Sequence, residues 1–362
     1  MPPATPDAAA RPRTAVDRGR VVAALLRRAL GDAGTSLPPA AAAHDLLPWM
    51  LRSGLGPLLW WGLRQTALAE ADWFTGLREE YVGQAVRTMK VDTDLARLWP
   101  LLEHAGITPL LGKGPAVALA YPERILRPFS DLDIYVPASQ FARARTLADH
   151  AGLQHIVIDL HCGASHVNDI PFGRLLECAD TMRVLGVDVR VLSKPHHLRL
   201  VALHALNEGM IRPLWLVDVA CLIGRDAATL DWAMFDEGDE WGGRWARVAL
   251  ALARDVLGAD LTQTPLGPVK APRWGEDAAL RSWGRQQQAK GARTAMGLRG
   301  RSVRAWLEGL SERWPTPIEA VAGVGGSVPE RVVLGHPLRE CVRRVRAFRA
   351  RPRGSEPVLT TL

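Results

Sequence analysis

The chain has 362 residues, of which 48% are hydrophobic, and it carries a formal net charge of +7. Its length predicts two domains or one enlarged domain. It lacks both a run of roughly twenty apolar residues and the apolar centre of a signal peptide, which predicts a cytoplasmic protein without a membrane segment. The four cysteines lack C-x-x-C spacing, which argues against a zinc ribbon and a dithiol redox motif.

Both ends of the chain differ from its centre. Residues 1–18 are rich in Ala, Pro and Arg without periodicity and predict a disordered tail. Residues 19–104 carry apolar side chains at helical spacing and predict an N-terminal helical region. Helical patterns return over 196–310. Residues 311–362 are predicted to be a segment broken by Pro and Gly that ends in a basic tail.

Residues 105–195 alternate between strand and helix signals. Strands are predicted over 107–111, 131–136, 154–161 and 187–192, and helices over 115–120 and 138–150. Such alternation predicts a sheet covered by helices on at least one face. With the helical regions on either side, the predicted fold class is α+β.

Two aspartates enter one of these strands as Asp131-Leu-Asp133. Side chains two apart on a strand point to the same face, so both carboxylates lie together. Adjacent anions repel unless a cation lies between them, and hard divalent ions favour carboxylate oxygens. The motif suggests a metal and phosphate site, although isolated D-x-D pairs also occur in loops and calcium sites.

A glycine turn precedes this motif as Gly112-Lys113-Gly114. Glycines let a phosphate approach the backbone, free N–H groups at a helix start attract it, and Lys113 adds positive charge. The alternative is an ordinary strand-to-helix turn with a solvated lysine.

A third acid, Asp159, lies near the end of the strand predicted over 154–161. Three carboxylates on neighbouring strands can bind two metal ions, and the acid on the separate strand can act as a base toward an acceptor hydroxyl. Asp188 is the rival acid on a strand. It follows a glycine turn and can simply face solvent, so Asp159 is preferred.

Taken in order, these features resemble the DNA polymerase β-like nucleotidyltransferase superfamily, and more narrowly a bacterial family of uncharacterised nucleotidyltransferases. The narrower likeness spans about residues 85–260 and rests on Leu-x-Lys-Gly, Tyr-Pro, Arg127, Asp131-Leu-Asp133-Ile, Asp159-Leu-His161, Leu203-His204 and Arg212-Pro-Leu-Trp-Leu-Val-Asp218. The chain departs from it at Gly112, where the family usually has an apolar residue.

The resemblance implies a small mixed-sheet nucleotidyltransferase core and a reaction. Asp131 and Asp133 would bind the catalytic metal ions, Mg²⁺ or Mn²⁺, and Asp159 would complete the triad. The candidate nucleotide-binding residues are Gly112, Lys113, Gly114, Arg127 and Ser130. The enzyme would move a nucleoside monophosphate from a nucleoside triphosphate to an acceptor hydroxyl on a small molecule or peptide, releasing pyrophosphate.

The basic tail leaves an alternative open. Residues 343–353 contain six arginines and no acid, so the rest of the chain is nearly neutral. Val342, Val345 and Phe348 predict a short amphipathic helix there. A solvated arginine face is favoured over RNA contact, yet a toxin-like enzyme acting on tRNA ends and a non-catalytic nucleotide-binding module both stay possible functions.

Three further positions have two interpretations. Asp218 lies in an apolar helix, where an acid needs a partner or a functional site. It forms an ion pair with Arg212 or with a residue of a neighbouring helix, or it lies in the wall of the nucleotide pocket. His204 is a core histidine or a cleft residue. His161, Cys162 and His166 invite a zinc site, but their spacing suits neither a strand face nor a helical pair.

Overall fold

The computed structural model describes residues 12–153, 155–164, 167, 169–265, 270–286, 314–322 and 327–349. Within these residues, helical segments precede and follow a single five-stranded mixed sheet. The predicted α+β fold class is confirmed. None of the helices in this part of the chain has both the length and the apolar character needed to span a membrane.

Five helices precede the sheet: α1 (Ala15–Ala29), α2 (Ala40–His44), α3 (Leu47–Arg52), α4 (Gly56–Leu63) and α5 (Phe74–His104). The first begins inside the predicted tail, because Thr14 and Asp17 cap it reciprocally. The Thr14 hydroxyl accepts the Asp17 N–H, and the Asp17 carboxylate accepts the Thr14 N–H. The prediction of disorder is therefore wrong for residues 15–18, whereas residues 1–11 lie outside the described residues.

The later helices of the described residues alternate with the strands and then follow them. They are α6 (Gly114–Ala118), α7 (Phe141–His150), α8 (Phe172–Glu177), α9 (Lys194–Asn207), α10 (Pro213–Asp226), α11 (Trp232–Phe235), α12 (Glu240–Leu257), α13 (Arg273–Gly284), α14 (Pro317–Ala322) and α15 (Gly335–Arg349). The last of them confirms the helix predicted for the basic tail.

The strands are β1 (Leu110–Gly112), β2 (Asp131–Val136), β3 (Val157–Cys162), β4 (Asp180–Val184) and β5 (Val187–Val191). They lie in the order β3-β2-β1-β5-β4. Strand β1 is antiparallel to β2 and parallel to β5, and β2 is parallel to β3. Because β2 lies between β1 and β3, residues from these three strands share one face.

The sequence pattern predicts β5 but not its antiparallel neighbour β4. The two strands are joined by Leu185 and Gly186, which both have positive φ, at 45° and 88°. Two consecutive residues of this kind match a type I′ hairpin turn. In β4 only Met182 and Val184 are buried, so its hydrophobic signal is too short to stand out.

The two faces of the sheet have different surroundings. Leu132, Ile134 and Val136 point to one face and join a core formed with α5 and α7. Leu110 and Tyr135 point to the other face and join a larger core formed by the helices on both sides of the sheet in sequence. The charged residues of β2 therefore face the helical part of the protein.

The helices that precede the sheet pack directly against those that follow it. A Cβ atom on Gly19 of α1 would lie 2.0 Å from the carbonyl oxygen of Leu280 in α13, so only glycine allows this approach. Arg18 Nε also donates to the carbonyl oxygen of Gly284, at 2.8 Å. The two helical regions thus form one body around the larger core, and the predicted domain boundaries stay predictions.

Candidate active site

The strand register brings two of the predicted acids side by side. Asp133 of β2 lies opposite Gly112 of β1 and opposite Asp159 of β3. Asp131 precedes Asp133 by two residues and so shares its face. Asp188 lies instead in β5 and pairs with Arg183 at 2.7 Å, with its side chain 60% exposed. We call Asp131, Asp133 and Asp159 the acid cluster; the structure groups Asp159, rather than Asp188, with the D-x-D motif.

Two basic side chains contact the acid cluster. Lys113 Nζ lies 2.5 Å from Asp133 Oδ1, and His161 Nε2 lies 3.1 Å from the same oxygen and 3.3 Å from Asp159 Oδ2. Burial opposes protonation of His161, but hydrogen bonds to Asp133 and Asp159, together with their charges, raise its pKa to about 9. Asp133 is therefore buried between two cations at neutral pH.

The pKa values of the other two acids, Asp131 and Asp159, are shifted in opposite directions. Burial, followed by the charge of Asp133, raises the pKa of Asp131, although Lys113 opposes this rise. The hydrogen bond from His161 lowers the pKa of Asp159, although burial opposes it. The Asp159 side chain is 53% exposed. The acid cluster thus contains an accessible acid, Asp159, whose ionised form is stabilised, and a less accessible acid, Asp131, whose ionised form is disfavoured.

The glycine turn is fixed by a histidine that the sequence analysis does not select. Lys113 has a φ of 42°, a conformation that costs energy for a residue with a side chain. Its N–H donates to Nε2 of His197 at 2.8 Å. Burial, reinforced by the charge of Arg127, lowers the pKa of His197 to about 3, so the ring is neutral and accepts this bond. The Lys113 N–H is therefore bound to His197 and is not one of the free N–H groups predicted at this helix start.

Packing explains why glycine occupies position 112. A Cβ atom there would lie 2.5 Å from Cε2 of Tyr135. The Tyr135 ring in turn stacks on His161, with ring centroids 4.7 Å apart and planes 21° apart. Gly112 therefore gives Tyr135 the space to support His161, which accounts for the departure from the family's apolar residue.

Arg127 is engaged by an acid from the helical part of the protein. Its Nε and Nη2 donate to the two oxygens of Asp218, at 2.9 and 2.8 Å, and the Tyr121 hydroxyl donates to Asp218 Oδ1 at 2.6 Å. All three residues are buried. We call this set the Arg127 network. It resolves the two interpretations of Asp218 toward an ion pair, with Arg127 rather than Arg212 as the partner.

The remaining candidates lie around these two groups. Ser130 is exposed immediately before β2. Cys162 is exposed at the end of β3, where strand alternation directs it away from the face of His161. His166 lies outside the described residues. His204 contacts the edge of Trp215 in α10, with ring centroids 5.2 Å apart.

One group of side chains has the spacing of metal ligands in the described part of the chain. Ligand atoms of Asp133, Asp159 and His161 lie within 4.8 Å of one another. The two carboxylates suit a divalent cation, and His161 could join them as a ligand only after it loses its proton. Asp131 lies on the same face but outside this group, which holds His161 with Asp133 and Asp159. The predicted triad of three carboxylates as metal ligands stays a prediction.

A family model described as uncharacterised nucleotidyltransferase matches residues 39–258. The chain belongs to this family. The match covers more than half of the chain, from α2 to α12, and begins well before the likeness seen in the motifs at about residue 85. It includes the acid cluster, the glycine turn and the Arg127 network. No curated protein and no solved structure matches the chain.

Family membership supports a nucleotidyltransferase at a coarse level and shows no specific activity. The match includes four of the five helices that precede the sheet, α2 to α5, and leaves α1 outside. The sites, the metal and the acceptor do not follow from membership.

Proposed function

We propose that this nucleotidyltransferase uses a divalent metal ion and transfers a nucleoside monophosphate from a nucleoside triphosphate to an acceptor hydroxyl on a small molecule or peptide. The observation that supports this proposal is the acid cluster, with Asp133 and Asp159 adjacent across two strands and the glycine turn directly beside them. Carboxylates on one sheet face next to a cationic turn suit a metal-bound polyphosphate.

The residues fit a hard divalent ion such as Mg²⁺ or Mn²⁺. Asp133 and Asp159 would hold it, with Asp131 beside them, because carboxylate oxygens are the ligands that such ions prefer. Burial first and the charge of Asp133 second raise the pKa of Asp131, and a cation bound beside it would offset both effects. When bound, the ion would neutralise phosphate charge and make the acceptor hydroxyl easier to deprotonate.

The chain's own groups supply positioning and charge. The acceptor oxygen forms a bond to the α-phosphorus, and the bond from that phosphorus to the bridging oxygen breaks, so that pyrophosphate leaves with the electron pair. Asp159 is accessible and ionised, and it takes the proton of the acceptor hydroxyl. Lys113, held by His197 in a fixed conformation, places its ammonium group where phosphate charge develops.

The experiment uses matched aspartate variants on two strands. The protein is incubated with each of the four α-labelled nucleoside triphosphates and Mg²⁺ or Mn²⁺, and label transfer and pyrophosphate release are measured. We expect Asp133→Asn to lower both by at least about a hundredfold, because it removes a carboxylate that would hold the metal ion. Asp188→Asn, on β5, should behave as the wild type.

Circular dichroism and thermal unfolding show whether each variant is folded. Undiminished transfer by folded Asp133→Asn would exclude the mechanism. Nucleotide binding that is independent of metal and never leads to turnover would favour the non-catalytic alternative.

Ion pairs within the protein engage part of the positive charge on which the tRNA alternative depends. In α15, Arg343 and Arg344 both bind Glu340, and Arg344 Nη2 also lies 3.0 Å from Glu319 of α14. These acids neutralise part of the basic tail, so a small-molecule or peptide acceptor is the better supported proposal. Truncation after Arg339 would remove tRNA binding, with a steep salt dependence, if the tail contacts RNA.

A further inference from the structure

Arg212 is a cation near both the Arg127 network and the acid cluster, and it is not among the site residues predicted from the sequence. It precedes α10, its side chain is half-buried, and its guanidinium carbon lies 5.7 Å from the centre of the Trp215 ring. A Cβ atom built on Gly54, in the turn between α3 and α4, would lie 3.8 Å from Arg212 Nη2 and 3.7 Å from Pro128 Cγ. The guanidinium group therefore lies beside the segment that leads into β2.

The guanidinium of Arg212 has no hydrogen-bond or ion-pair partner among the residues that the structure describes. In contrast, the buried guanidinium groups of Arg127 and Arg199 bind Asp218 and Asp169. Arginine stays charged in proteins, and a partly buried charge without a partner is unfavourable. Burial, followed by the charge of Arg127, lowers the pKa of Arg212, whereas nearby Asp131 and Asp218 oppose this. The donors of its guanidinium are therefore available to an anion that binds beside the acid cluster.

The position of Arg212 indicates which anion this is. The segment 128–131 adjoins Arg212 at Pro128 and adjoins the glycine turn at its other end. A Cβ atom on Gly114 would lie 3.4 Å from the carbonyl oxygen of Asp131. The guanidinium of Arg212 and the glycine turn thus lie near opposite ends of one short segment, which contains the exposed Ser130 and leads into the acid cluster.

We propose that Arg212 binds the polyphosphate of the nucleoside triphosphate, in the role that the sequence predicts for Arg127. This inference rests on the proposed function. Arg127 donates from Nε and Nη2 to Asp218 and from Nη1 to the Pro128 carbonyl oxygen, so its guanidinium is engaged on both edges. Arg212 offers its planar fork, which matches two phosphate oxygens. The helical half of the protein would then complete the nucleotide site formed by the sheet.

The test measures binding of inorganic tripolyphosphate, and separately of ATP, GTP, CTP and UTP, to the full chain with Mg²⁺ by isothermal titration calorimetry. We expect Arg212→Gln to weaken tripolyphosphate binding and nucleotide binding alike, by about 10- to 100-fold, because it removes charge-assisted hydrogen bonds. Arg212→Lys keeps the charge but loses the planar fork, and we expect an intermediate loss. Arg225→Gln, at the exposed far end of the same helix, is the matched control and should bind as the wild type.

The outcomes separate this inference from the proposed function. Wild-type affinity for tripolyphosphate in folded Arg212→Gln would overturn the inference. Equal losses in Arg212→Gln and Arg225→Gln would also overturn it, because they would report net charge alone. If the wild type binds neither tripolyphosphate nor any of the four nucleotides, the proposed function itself fails. Should Arg212→Gln not fold, Arg212→Lys gives the same decision.

Discussion

The acid cluster and the Arg127 network are neighbouring charged groups that are built in opposite ways. In the Arg127 network, one carboxylate meets one guanidinium and one hydroxyl, and every member is buried. In the acid cluster, three carboxylates share Lys113 and His161, and the Asp159 side chain is about half exposed. The first group is balanced without a ligand, whereas the second has more negative than positive side chains.

This difference indicates what each group contributes. A buried ion pair whose donors and acceptors are matched holds elements together, and here it joins the segment before β2 to α10. An accessible cluster with excess negative charge is unfavourable by itself and favours a cation or a cationic complex. Substitutions should therefore affect stability in the Arg127 network and affect binding or turnover in the acid cluster.

The largest effect should follow Asp218→Asn. It leaves the Arg127 charge buried without a counter-ion, and we expect the free energy of unfolding to fall by about 3–5 kcal/mol, measured by urea denaturation. Replacing the whole network with Arg127→Met, Asp218→Leu and Tyr121→Phe should recover most of this loss, because no buried charge is then left unpaired.

The opposite result would contradict this distinction between the Arg127 network and the acid cluster. If Asp218→Asn kept wild-type stability but lost nucleotide binding, the Arg127 network would belong to the nucleotide site. Glu240→Gln is the control, since its pair with Arg244 is exposed on α12 and should contribute less than about 1 kcal/mol.

His197 lies close enough to Arg127 and to Asp133 for both charges to affect its pKa. Its substitution should have the next largest effect. His197→Leu removes the acceptor for the Lys113 N–H and leaves the positive φ of that residue unsupported. We expect turnover in the labelled-transfer assay to fall by about 10- to 100-fold, because a shift of about 1 Å in a catalytic group has this consequence. His197→Gln places an amide oxygen near the position of Nε2 and should restore most of the turnover.

The pair of variants separates positioning from packing. A loss of the same size in His197→Gln and His197→Leu would contradict a role through the hydrogen bond to Lys113. His104→Leu, at the exposed end of α5, controls for the loss of an imidazole and should leave turnover unchanged.

The sequence predicts the grouping of acids well, because strand geometry is local. The alternation of side chains on β2 places Asp131 and Asp133 on one face, and the apolar strand around Asp159 makes it the neighbour of choice. Their roles as metal ligands and catalysts stay predictions. The fold class follows from the same patterns. Among the strands that the structure describes, only the short β4 lacks a hydrophobic pattern in the sequence.

The partners of the charged residues could not be predicted in the same way, because they come from distant segments. Asp218 follows Arg127 by 91 residues and His197 follows Lys113 by 84 residues, so no spacing rule connects either pair. The sequence suggests Arg212 as the partner of Asp218, since the two residues are close along the chain. In the fold, Arg127 is the residue that binds Asp218, so the guanidinium of Arg212 is available to a ligand.

The smallest effect should follow Tyr121→Phe, which sharpens the comparison within the Arg127 network. The change removes one hydrogen bond to Asp218 Oδ1 but keeps both bonds from Arg127, so no charge loses its counter-ion. We therefore expect a loss of about 1–2 kcal/mol in the free energy of unfolding and unchanged nucleotide binding. Tyr81→Phe removes a comparable bond to the exposed Glu123 and should cost about 0.5 kcal/mol or less. Equal losses in the two variants would show that burial of the network adds nothing to the strength of its hydrogen bonds.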